Sequence, residues 1–152
     1  MFAWEIKFFS ELSAQRLYQI LKLRQDVFVL EQSCLYPDLD NLDQKVIHVS
    51  LISEEDDDLV AYCRIIPADL VSPDVAIGRV VVAEGARSQG LAKKLMIKAI
   101  EFINEEMQAP AIKVSAQSHL QAFYQSLGFA ITSEPYDEDG IEHIDMKLTI
   151  LS

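Results

Sequence analysis

Cysteine is scarce in this chain: Cys34 and Cys63 are the only two among 152 residues. So few thiols exclude a disulfide-built scaffold and read as free side chains in a reducing compartment, the cytoplasm. The three histidines and two cysteines show no ligand spacing, so no metal is expected. Glycine and proline number five each, and neither is concentrated enough to form a hinge. One domain over residues 1–152, large enough for a real core, is expected. Bases are outnumbered, with 13 Lys and Arg against 24 Asp and Glu. The resulting net charge of −11 and pI near 4.6 argue against nucleic acid as a ligand. Acidity of this kind suits solubility and the steering of a cationic substrate such as an amine. No apolar run approaches the roughly 18 residues of a membrane span, and the start, Met1-Phe-Ala-Trp-Glu5, has no basic segment. Neither membrane insertion nor a signal peptide is expected.

What is present is a mixed pattern of strands and helices. Phe2–Phe9 alternates as a strand, and 13–27 carries apolar residues at helical spacing, with Ser10 or Ser13 as N-cap. Residues 31–45 are irregular and polar. Residues 46–53 and 59–66 are β-rich, joined by five consecutive acids that must be solvated, Glu54 to Asp58. Val75–Ala83 is a third strand of this series, and its run Val80-Val81-Val82 suits burial on both faces. A helix from about Gly90 to Met107 has an apolar stripe of Leu91, Leu95, Met96, Ala99, Ile100 and Ile103. A short strand at 112–116 follows, then a helix from Ser118 to Leu127 stopped by Gly128. Phe129–Ser133 and Ile141–Ile150 read as a closing hairpin. Two successive strand–helix units imply a parallel pair in the middle of an α/β sheet of otherwise antiparallel character.

The segment Arg87-Ser-Gln-Gly-Leu-Ala-Lys-Lys94 inverts the charge of its surroundings. No acid occurs between Gly85 and Ile100, whereas Arg87, Lys93, Lys94 and Lys98 do. Cations at a helix start cost roughly 0.3–1 kcal/mol against the dipole. They make sense where a phosphate or diphosphate completes the site, bound by backbone N–H groups that Gly90 leaves unobstructed.

Arg87-x-x-Gly90-x-Ala92 between a strand and a helix resembles the signature of the GNAT family of N-acetyltransferases. A later segment, Tyr124-Gln-Ser-Leu-Gly128-Phe129, resembles that family's Tyr-x-x-x-Gly-Phe, and the two stand in the family's order. Val27-Phe-Val-Leu-Glu31-Gln32, Ala116-Gln-Ser-His119 and Tyr136-Asp-Glu-Asp-Gly-Ile-Glu-His143 are similar to the ElaA-like subgroup, so the resemblance spans nearly the whole chain.

The resemblance implies a single-domain fold with a central, splayed parallel strand pair and flanking helices. It implies acetyl-CoA as co-substrate and an amine acceptor, either a small molecule or a peptide, and it leaves a homodimer open. The N–H groups of Ser88, Gln89, Gly90, Leu91 and Ala92 would cradle the diphosphate, with Arg87 and Lys93 beside it. Val80, Val81 and Val82 would pair with the pantetheine arm, and Val81 or Val82 could polarise the thioester carbonyl. Gln117 stands where many members have a pantetheine-binding Asn. Tyr124 would protonate the departing thiolate. Glu31, His48, His119 and His143 are all competent as the base, directly or through water, with Glu31 and His143 preferred. Glu31, Gln32, Arg79 and His119 are candidates for recognising the acceptor. A non-catalytic CoA-binding module is the rival reading.

Overall fold

The computed structural model describes residues 1–150. Strand β1 (Phe2–Phe8) leads into helix α1 (Ala14–Arg24), whose first turn is capped by the Ser13 hydroxyl accepting from the Arg16 N–H at 3.0 Å. The helix does not stop at Arg24. It widens into a π-type coil over Gln25–Glu31 that carries the chain beyond the expected end at Val27. Strands β2 (Ile47–Ser53), β3 (Leu59–Ile66) and β4 (Val75–Val82) follow, β1 to β4 running antiparallel in succession. Helix α2 (Leu91–Phe102) also continues as a wide turn through Met107. Then come β5 (Ala111–Gln117), the short α3 (Gln121–Ser126), β6 (Ala130–Ile131), β7 (Tyr136–Glu138) and β8 (Ile141–Thr149).

The sheet order is β1-β2-β3-β4-β5-β8-β6, with β7 also on β8. The closing hairpin therefore differs from the expected one. The tight turn at Asp139-Gly140, with φ of 55° and 82°, joins β7 to β8, while β6 pairs with only two residues of β8. Both residues of this turn need positive φ, which Asp-Gly supplies cheaply.

Strand alternation sorts two cores. Ile47, Val49, Leu51, Ala61, Cys63 and Ile65 face α2, whose Leu91, Leu95, Met96, Ala99 and Ile103 are all buried there. Burial of each large side chain in this layer contributes about 1.5–3 kcal/mol. On the opposite face Ile20, Leu23 and Val27 pack over Ile52, Leu59, Tyr62 and Val81. Val81 thus lies under α1 while Val80 and Val82 belong to the α2 side, as a doubly covered strand requires.

Two irregularities interrupt the middle of the sheet. Arg64 pairs with Gly78 but Tyr62 pairs with Val81, so Arg79 and Val80 bulge out of the ladder, with Arg79 at φ 52°. The parallel contact between β4 and β5 is limited to Val75 with Ile112 and Ala76 with Lys113. Beyond Ala76 the strands part, and the sheet opens.

Candidate active site

The opening is a cavity of about 440 Å³ between the parted strands. Its floor is Gly78, Arg79 and Val80 from β4, with Lys113, Ser115 and Gln117 from β5. Every second residue of β5 faces it, and the alternate ones, Ile112, Val114 and Ala116, are buried in the α2 core. On β8, His143 and Asp145 line it while Ile144 and Met146 turn to the core. Loop residues Gln32, Cys34, Tyr36 and Asp38 form one wall, and Tyr136, Glu138 and Asp139 form the other.

Tyr124 closes the inner end. It is 6 % exposed, with its ring edge-on to Phe123 and Phe129. Gly128, at φ 100°, lies just past the end of α3, and the N–H of Phe129 returns to the Tyr124 carbonyl at 3.1 Å. Phenol position is therefore set by a cap and two aromatic contacts. Burial, with a smaller contribution from Cys63, pushes its pKa up to about 12, so the hydroxyl is protonated throughout the neutral range. Ser118, expected to cap α3, does not. A tight turn over Ser118–Leu120 precedes the helix, and the Ser118 hydroxyl is buried without a partner.

The basic loop sits past the other end of β4. Ala83 and the turn Glu84–Ala86 lead to Arg87, Ser88 at φ 67° and Gly90 at φ 71°. Helix α2 then starts with no side-chain cap and no acid in its first turn, so its N–H groups point outward unclaimed by any side chain. A Cβ built on Gly90 meets nothing within 4 Å, which marks an open cradle. Lys93 and Lys94 are exposed beside it. Lys98 is not part of this group, because its ammonium lies 5.9 Å over the Trp4 ring.

Several residues singled out in the sequence are engaged elsewhere. The Arg87 fork grips Glu31, Nη1 to Oε2 at 2.7 Å and Nη2 to Oε1 at 2.8 Å, and its Nε donates to the Val82 carbonyl at 3.2 Å. Glu31 is thus drawn to the mouth of the basic loop, beside Leu30 and Glu84, and does not line the cavity that holds Tyr124. Its bond to Arg87 lowers its pKa. His119 is exposed on the turn before α3 and also lies outside that lining. Arg79 lines the cavity but donates Nε to Asp38 Oδ1 at 2.8 Å and Nη2 to the Asp38 carbonyl at 2.9 Å. His48 is buried on β2 between the Tyr62 hydroxyl at 2.6 Å and the Asp43 carbonyl at 2.8 Å. Burial, countered by Asp43, lowers its pKa, as expected of a neutral structural imidazole.

The structure brings Tyr124, His143, Gln32 and Gln117 into one cavity. Gln117 Nε2 donates to Gln32 Oε1 at 3.3 Å, and Gln117 pairs with His143 across β5 and β8. Nδ1 of His143 is 2.8 Å from the Ile141 carbonyl, which fixes the proton there and leaves Nε2 as the basic nitrogen of the neutral ring. Sequence reasoning missed Tyr136. It stacks on His143 with ring centres 6.2 Å apart, hydrogen-bonds the Ser115 hydroxyl and donates to Asp145 Oδ1 at 2.6 Å. The available signal was the alternation of His143 and Asp145 on β8, opposite a turn ending in Asp-Gly.

A sheet split at the parallel pair β4–β5, with an uncapped helix start at one mouth, defines an acyltransferase architecture. The family model described as acetyltransferase (GNAT) domain matches residues 26–150, and the chain belongs to that family. Its likeness is closer still to protein ElaA of Escherichia coli, with 40% identity over 99% of both chains. The ElaA crystal structure superposes with a TM-score of 0.88 over 97% of this chain and 99% of that one. An acyl-CoA N-acyltransferase from Pseudomonas aeruginosa gives 0.91 at 37% identity, over 98% and 100%. An aminoglycoside 6′-N-acetyltransferase complexed with coenzyme A shares the fold, with a TM-score of 0.71, 15% identity, and coverage of 97% and 98%.

Proposed function

We propose that residues 1–152 act as one domain that moves an acetyl group from acetyl-CoA to a primary amine, both substrates bound together. The observation that carries this reading is the parting of β4 and β5 between the open Gly90 cradle and the protonated Tyr124. The two free thiols, one fully buried, suit work in the cytoplasm.

The residues fit coenzyme A. An uncapped helix start, an unobstructed glycine and the exposed Lys93 supply donors and charge for a diphosphate held by the N–H groups of Ser88 to Ala92. Arg87 reaches a phosphate only by exchanging Glu31 for it; until then the pair is locally neutral. Val80, Val81 and Val82 offer a strand edge to the pantetheine arm, with Gln117 opposite. Acetyl-CoA, when bound, supplies the thioester carbon to be attacked.

The remaining work belongs to the chain. A main-chain N–H in the Val80–Val82 stretch polarises the carbonyl. His143 Nε2 takes one proton from the acceptor ammonium, and the freed nitrogen pair forms the new C–N bond. The C–S bond breaks with its electrons on sulfur, which takes the Tyr124 proton; the second nitrogen proton restores the phenol through water, and His143 releases its proton to solvent. Glu31 serves by holding Arg87 and the π-type coil together. Thiol release from acetyl-CoA with a panel of amines tests the reading. Calorimetric binding of CoA with no release on any amine would instead favour a binding module.

A further inference from the structure

Resting on the acyl-transfer reading, the charges of the cavity narrow the acceptor. Three cations line it, and each has an aspartate within 4 Å. Arg64 is held by Asp40 and Asp43, Arg79 by Asp38, and Lys113 by Asp145 at 3.6 Å. No lining cation is left among the described residues to receive a substrate carboxylate. The anions do not balance in the same way. Glu138 has no Lys or Arg partner; its Oε2 lies 3.6 Å from His143 Nε2, and its side chain is 52% exposed at the mouth. Asp139 stands next to it on the same turn.

His143 supplies the independent pointer. Only 8% exposed, it spends Nδ1 on a backbone carbonyl, and its Nε2 makes no hydrogen bond to the protein. Facing the cavity without a hydrogen bond, that nitrogen can accept from a ligand donor. With that nitrogen and the Glu138 carboxylate 3.6 Å apart, an ammonium on the cavity side of the pair can donate to both. We infer that the acceptor is a cationic primary amine with no carboxylate beside its reacting nitrogen, and that Glu138 is the residue that selects it. An α-amino acid would bring its carboxylate against Glu138, Asp139 and cations already neutralised, which is a like-charge and desolvation cost. The −11 net charge draws the same class of molecule to the surface.

Matched pairs test this: tyramine against tyrosine, and phenethylamine against phenylalanine, titrated calorimetrically into CoA-saturated protein and assayed for thiol release. Each amine should bind about tenfold or more tighter than its amino acid, and Glu138→Gln should weaken amine binding by a similar factor. In that variant KM rises with kcat little changed, and affinity for CoA stays as it was. Equal binding of amine and amino acid, a preference untouched by Glu138→Gln, or no amine binding at all overturns the inference. Thiol release without preference sinks the selection by Glu138 while acyl transfer stands. Preferential binding without thiol release sinks acyl transfer while the selection stands.

Discussion

Burial raises the Tyr124 phenol to about 12, so it keeps its proton through the neutral range, and in the proposed mechanism it yields that proton only to the departing thiolate. Tyr124→Phe keeps the aromatic packing against Phe123 and Phe129 and removes only the hydroxyl. Turnover should fall on the order of 10²-fold, with CoA affinity nearly unchanged by calorimetry. Unaltered turnover would strip Tyr124 of the donor role. Gly90 is the other residue on which the proposed site depends. Its φ of 71° and open surroundings mean that Gly90→Glu adds backbone strain of about 1–2 kcal/mol and puts an anion in the cradle. CoA affinity should drop about 100-fold or more in a folded protein. Both residues were legible in the sequence because motif and turn chemistry are local. Glu138 was not, since its value depends on which cations across the cavity are already paired.

At the scale of elements, the wall of the cavity is fastened by a charge lattice. Arg24, at the end of α1 and fully buried, holds Asp38 Oδ2 at 2.8 Å and Asp43 Oδ1 at 2.7 Å, and Arg64 shares Asp43 at 2.9 Å. Asp38 in turn holds Arg79 at the bulge of β4. The loop after α1 is therefore tied to the strand it faces, although it contains no long helix or strand of its own. Arg24→Ala leaves two buried carboxylates short of a partner and should cost about 3–5 kcal/mol in urea denaturation. A loss below about 1 kcal/mol would show that the lattice is replaceable by water. The apolar stripe of Arg24's helix is readable from the sequence, but an arginine at a helical apolar spacing gives no hint of which aspartates it will meet.

For the molecule as a whole, this lattice sets the response to acid. Burial opposes ionisation of Asp40, yet the Arg64 guanidinium outweighs it and holds the carboxyl at about 2. Asp43 is lowered in the same way, burial being overcome by Arg24 and Arg64. Carboxylates depressed in the folded state stabilise it fully above their unfolded values near 4, and that contribution is lost as pH falls toward 2. His48, lowered chiefly by burial, withdraws a smaller share beginning below about pH 6.5, where only the unfolded imidazole takes a proton. Urea midpoints should therefore decline gently below about pH 6.5 and steeply below about pH 4. A midpoint constant from about pH 5 to pH 2.5 would contradict the assignment.

The sequence by itself determined the order of strands and helices up to the closing hairpin, a serine cap for α1 at Ser10 or Ser13, the basic loop around Gly90 and the family. These depend on residues close together along the chain, where periodicity, capping and turn preferences act directly. The tertiary structure alone decided that Glu31 spends itself on Arg87, that Arg79 answers to Asp38, and that His143 keeps an open nitrogen beside Glu138. Such choices are competitions among charges brought together from distant segments, and the winner is set by distance and burial.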